Sequence, residues 1–123
     1  MAAFDRIDRI SEEVHKAIDK IIRDEVNDPR VGGTWSIVRC EVTRDLRYAK
    51  VFASFLQEDK AKEALKGLKS ASGYLRRELG RALQLRYTPE LVWALDDSIT
   101  YGAKMMKLIN SLEVGSDDVS DED

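Results

Sequence analysis

The chain has 123 residues, 43% hydrophobic and 35% charged. That suffices for one hydrophobic core and not comfortably for two, with a surface more charged than the average of about 25%. Apolar runs no longer than Leu91 to Leu95 exclude a spanning helix of about 20 residues, one cysteine excludes an internal disulfide or a cysteine metal cluster, and one histidine excludes paired zinc ligands.

Residues 4–26 place Phe4, Ile7, Ile10, Val14, Ile18, Ile21, Ile22 and Val26 at helical spacing, with charged residues on the other side. Acids in this opening stretch argue against a secretory signal, so a cytoplasmic protein is expected. His15 shares a face with Glu12 and Lys16 and reads as an ordinary surface residue. Pro29 disfavours helix at Asp28, so the helix should stop near Asn27, and Gly32 and Gly33 mark a loop.

Residues 35–43 alternate as a strand, with Val38, Cys40 and Val42 on one face. A second strand, residues 47–56, gathers Ala49, Val51, Ala53 and Phe55, with Tyr48, Lys50, Phe52 and Ser54 opposite. The short link at Arg44, Asp45 and Leu46 predicts an antiparallel hairpin. Phe52 suits either packing or a stacking platform for a base.

The apolar series Ala61, Ala64, Leu65, Leu68, Leu75, Leu79 and Leu83 then keeps helical spacing, yet Ser70, Ala71, Ser72 and Gly73 stand at its centre. An interior Ser or Gly costs roughly 0.5–1 kcal/mol relative to Ala. Two readings account for them: a continuous helix whose small residues admit a close neighbour, or a kink from which a second helix starts near Gly73. Pro89 introduces LVWAL, a continuous apolar run that suits a buried strand. Asp96, Asp97 and Ser98 offer caps to a last helix whose apolar positions are Tyr101, Met105, Leu108 and Leu112, with the methionines read as packing.

Charge is unevenly spread. Residues 113–123 hold six acids and no base, which leaves 20 bases against 17 acids in residues 1–112. We expect a single domain over 1–112 and an acidic, disordered tail over 113–123. Between Lys60 and Arg86 eight bases oppose only Glu63 and Glu78. They form either a solvated helix surface or the footprint of a polyanion. Arg76 and Arg77 follow the interruption and should project off the apolar stripe, so reversing both charges is expected to spare the fold. Lys66 and Lys69 approach from the preceding helix, and Arg81 and Arg86 lie beyond.

The order helix, strand, strand, helix, helix, strand, helix implies an α+β layer, a three-stranded sheet with helices on one face. The kink motif Ala71-Ser72-Gly73, with NDPRV at 27–31, EVTRDLRYAKVFASFL at 41–56, TPEL at 88–91 and DDSITYGAKMMKLI at 96–109, resembles the ribosome-binding factor A family. The resemblance implies a type II KH-like fold in the order α-β-β-α-(kink)-α-β-α. It also implies a non-catalytic assembly factor for the immature small ribosomal subunit and its RNA, acting in late maturation and rRNA processing, including at low temperature. Assembly GTPases are implied as functional partners. The RNA-facing candidates carried over are Lys66, Lys69, Ser70, Ala71, Ser72, Gly73, Arg76, Arg77, Arg81 and Arg86, with Arg44, Arg47 and Lys50 on the hairpin as secondary ones. The acidic tail departs from relatives that end in a basic extension. The sequence has no phosphate loop, zinc motif or histidine dyad and no cofactor is expected, so an enzyme is the weaker alternative. We expect a monomer, with a protein-binding module, such as a homodimer through the last helix, as the other alternative.

Overall fold

The structure is a computed structural model that describes the backbone of residues 6–118 and the side chains of residues 6–112. Phe4 and the end of the acidic tail lie outside the described residues. In chain order the elements are α1 (Arg6–Glu25), β1 (Trp35–Val42), β2 (Tyr48–Phe55), a 3₁₀ turn (Glu58–Lys60), α2 (Ala61–Ser70), α3 (Ser72–Leu83), β3 (Glu90–Asp96) and α4 (Ser98–Asp118). The alternation of strand residues and the 3.6-residue apolar spacing of the helices thus give the expected α+β, KH-like order. Among the described residues no helix is long and apolar enough to cross a membrane.

The sheet runs β1-β2-β3, with β2 central, antiparallel to β1 and parallel to β3. Ala49, Val51 and Ala53 of β2 are fully buried beneath helix residues Val14, Ile18, Leu68, Leu75 and Leu79, which are also essentially inaccessible. Burying a side chain of the size of Leu or Ile contributes about 1.5–3 kcal/mol, so this face ties α1, α2 and α3 to the sheet. The expected hairpin is present. Its turn closes with Leu46 N–H donating to the Thr43 carbonyl at 2.8 Å, and Leu46 adopts φ 63°.

Four features differ from the sequence expectation. In β1 the pairing shifts between Ile37 and Arg39, so Val38 is the extra residue of a bulge and Ile37 joins Cys40 and Val42 in the core. His15 is half-buried rather than a plain surface residue, and its Nε2 donates to the Ile37 carbonyl at 2.6 Å, which pins α1 to the bulge. The LVWAL strand is not buried on both faces. It is an edge strand in which Leu91 and Trp93 point inward while Val92 and Leu95 are exposed. Finally, α4 begins as expected, with Ser98 N–H capped by Asp96 Oδ1 at 2.7 Å, but it runs past Leu112. Its stripe of Tyr101, Met105, Leu108 and Leu112 is exposed instead of packed. Its first turn is fastened by Ile99 N–H to the buried Ser54 hydroxyl at 2.9 Å and by the Thr100 hydroxyl to the Phe55 carbonyl at 3.2 Å.

Candidate nucleic-acid interface

The interruption is a true break in the helix. Ala71 separates α2 from α3 with φ −85° and ψ −1°, and its amide is shared between the carbonyls of Gly67 and Leu68, both at 3.1 Å. Regular helix resumes as Leu75 N–H donates to the Ala71 carbonyl at 2.9 Å. Leu68 and Leu75 remain in one core on either side, so the apolar register survives while the axis bends.

Each small residue at the break has its own job. Ser70 accepts from Arg30 Nη2 at 3.4 Å. Ser72 hydroxyl donates to the Leu68 carbonyl at 3.2 Å and accepts from Trp93 Nε1 at 2.8 Å; it satisfies the indole of a buried ring, which an Ala there would leave unpaired. Gly73 is different. A Cβ built on it would meet nothing within 4 Å, so packing does not require glycine there. Close neighbours are instead met at Gly67 of α2, whose added Cβ would lie 2.9 Å from Val31 Cγ2 and 3.2 Å from Asp28 Cγ, and at Gly80 of α3, where it would lie 2.6 Å from Thr88 Oγ1. The NDPRV loop is therefore folded onto α2 beside the kink. Within it Arg30 grips Asp28 through two guanidinium contacts at 3.0 and 2.7 Å. Those donors hold the Asp28 carboxyl at about 2, well below the usual carboxylate range.

Gly73, Arg76, Arg77, Arg86, Tyr87 and Thr88 line a groove of about 460 Å³. It brings together three of the predicted arginines from two segments, with no acid among its lining residues. Arg76 does more than face solvent, since its Nε and Nη2 both donate to the Thr88 carbonyl, at 3.2 and 3.0 Å. It fastens α3 to the segment leading into β3, so reversing its charge would cut two hydrogen bonds as well as alter the potential. Arg77 lies 5.6 Å from the Tyr74 ring. The Tyr74 hydroxyl donates to Glu25, an interaction that raises its pKa.

A second groove, of about 320 Å³, continues from the first through Arg76, Tyr87 and Thr88 to Asp45, Leu46, Arg47, Tyr48 and Glu90. Arg47 of the hairpin therefore borders the kink arginines. The other candidates stand apart. Lys50 lies on the open sheet face with its ammonium 5.2 Å from the Phe52 ring, which Arg39 also covers at 3.8 Å, so two cations occupy the surface that a stacked base would need. Arg44 is exposed at the hairpin tip and Lys69 on α2, while Lys66 and Arg81 are exposed on their helices and paired with Glu63 at 3.3 Å and Glu78 at 3.4 Å. Sequence reasoning missed Arg30, Tyr48, Tyr87 and Thr88. Arg30, Tyr48 and Thr88 lie within the motifs quoted above and Tyr87 directly follows Arg86, but only the fold brings Tyr48, Tyr87 and Thr88 beside Arg76.

A family model described as ribosome-binding factor A matches residues 6–109. The chain belongs to the ribosome-binding factor A family. It is 50% identical over 109 residues to the ribosome-binding factor A of Clostridium novyi, covering 88% of this chain and 90% of that one. It is 51% identical over 122 residues to that of Acetivibrio thermocellus, covering 95% and 98%. Among solved structures, a solution structure of a Thermotoga maritima putative ribosome binding factor A superimposes with TM-score 0.64 at 28% identity, covering 70% of this chain and 82% of the other. The crystal structure from Thermus thermophilus gives TM-score 0.64 at 20% identity, covering 72% and 94%. A Thermus thermophilus ribosome binding factor A homology model, fitted into a cryo-EM map of a 30S complex, gives 0.58 at 22%, covering 68% and 87%. These two more distant likenesses establish the shared fold alone.

Proposed function

We propose that this chain is a non-catalytic assembly factor that binds the free, immature small ribosomal subunit through its RNA, with the arginine-lined groove at the kink as the principal contact. The observation that carries this reading is the convergence of Arg76, Arg77 and Arg86 on one acid-free groove beside Gly73. Three guanidinium groups from two segments neutralise closely spaced phosphates, and release of the condensed counterions then supplies affinity without base readout. Membership of the ribosome-binding factor A family and the 30S complex of the Thermus thermophilus relative support the choice of the small subunit as target.

In this reading the protein acts as a monomer in the cytoplasm and assists late maturation and rRNA processing, including at low temperature, with assembly GTPases acting on the same particle. Lys66, Lys69 and Arg81 extend the basic field along α2 and α3, Arg47 extends it onto the hairpin, and Arg44 and Lys50 are peripheral. Cosedimentation with free small subunits tests the reading. The variant Arg77→Glu/Arg86→Glu, which leaves the Arg76 bonds to Thr88 intact, should fold normally and pellet poorly with the subunit. Undiminished pelleting would move the binding surface elsewhere.

A further inference from the structure

The two contiguous grooves are chemically unlike. The first carries three arginines and no acid. The second balances Arg47 and Arg76 against Asp45 and Glu90, and Asp45 is held ionised, its pKa lowered by the Thr43 hydroxyl and the Arg47 amide that it accepts. A polyphosphate chain would be drawn into the first groove and gains nothing in the second. At the junction stands Tyr87, 70% exposed, where an unburied aromatic ring contributes nothing to the core. Arg86 lies over one side of the ring, 5.6 Å from its centre, so Tyr87, unlike Phe52 with its two covering cations, offers its other side to a base. Tyr48, also exposed, lines the same groove.

We propose that this junction is a site for an unpaired RNA nucleotide: the base stacks on Tyr87 and enters the charge-balanced groove, while its flanking phosphates lie on Arg77 and Arg86. The proposal rests on the ribosomal RNA reading above and narrows it to single-stranded or looped RNA. The physical reason is that stacking on a side chain needs a free base face, which duplex RNA does not offer along its length. An aromatic platform beside arginines is the arrangement by which proteins hold single strands, each stacked base contributing affinity with little dependence on sequence. Tyr87 is well placed for this because Arg76 fixes the backbone next to it through the Thr88 carbonyl, and Pro89 is buried immediately after, so the ring sits on a held segment.

The test is fluorescence anisotropy with a labelled single-stranded RNA of about 12 nucleotides, within the usual reach of such sites, and with the duplex of the same sequence. Tyr87→Ala should weaken binding to the single strand about tenfold, the loss expected for one stacked base, and Tyr87→Phe should restore it. Neither variant should alter duplex binding. Because the ring is exposed, unchanged melting curves should accompany both variants. Equal loss on single strand and duplex, no loss on either, or failure of Phe to rescue would each overturn the stacking site while leaving the small-subunit reading intact. If the native protein bound neither RNA form nor the free subunit, the broader reading would fall with it.

Discussion

Replacing Gly73 by alanine separates a glycine kept for the backbone from one kept for a ligand. Gly73 does not occupy the left-handed region, where Gly33 is the glycine with positive φ among the described residues, and an added Cβ would meet nothing within 4 Å. Nothing in the fold therefore opposes the methyl group. Relative to glycine, alanine favours helix and narrows the unfolded ensemble, and the two descriptions overlap, giving about 0.5–1 kcal/mol of stabilisation. For a domain of this size that raises the melting temperature by about 2–5 °C. The same methyl would stand in the arginine groove, which Gly73 lines, and would keep a phosphate from approaching the backbone. Thermal melts by circular dichroism and cosedimentation with free small subunits read the two effects on one variant. We expect a protein that melts higher and binds less. A lower melting temperature would show that the kink itself demands glycine, and higher stability with undiminished binding would show that no ligand approaches Gly73.

Other substitutions probe the supports of the site. Gly67→Ala should destabilise by about 1–3 kcal/mol in urea titration, because its Cβ would press on Val31 and Asp28, and the NDPRV loop must then shift. Ser72→Ala should lose about 1–2 kcal/mol by leaving the Trp93 indole N–H without its acceptor at 2.8 Å, an effect also visible as altered tryptophan fluorescence; an unchanged emission spectrum and midpoint would count against that bond. Burial pushes the Cys40 thiol up to about 12 from 9.0, so iodoacetamide at pH 8 should label it only after unfolding. The sign of its pH linkage follows: the native state keeps the proton while the unfolded chain releases it, so this group lowers stability as pH rises from 9 toward 12. For Asp28, held at about 2 by Arg30, the sign is reversed. Its stabilising pairing is present above the ordinary carboxylate range and disappears as pH falls from about 4 to 2, a change that Asp28→Asn should abolish in acid melts.

Much of the fold could be read from the chain because its strongest signals are local. The α1 stripe, the alternation in β2 and the series from Ala61 to Leu83 each repeat with the period of their element, and the break at Ala71 shows in the sequence as small residues in an otherwise apolar helix. What escaped depends on partners far along the chain. The bulge at Val38 is set by pairing with Ala53 and Phe52 and by the His15 bond to Ile37, neither of which marks the strand's own pattern. LVWAL is apolar throughout, yet β3 lies at an edge, and its parallel register with β2 leaves alternate residues open. The stripe on α4 has helical spacing whether or not anything covers it, so its exposure could not be foreseen. The basic residues near the kink were legible as a cluster, but their sorting was not. Only the tertiary structure joins Arg47 to Arg76, takes Lys50 away to the open face of the sheet, commits Arg76 partly to Thr88 and brings Tyr87 to the junction.

The most direct test of the arginine groove is the salt dependence of binding to free small subunits, for the native protein and for Arg77→Gln/Arg86→Gln. Each phosphate contact contributes about 0.7–0.9 to the slope of log affinity against log salt. We predict a steep slope for the native protein and one shallower by about 1.5 for the variant, with weaker binding at every salt concentration and an unchanged fold. Identical slopes and affinities for the two proteins would contradict the proposal that these arginines hold the RNA.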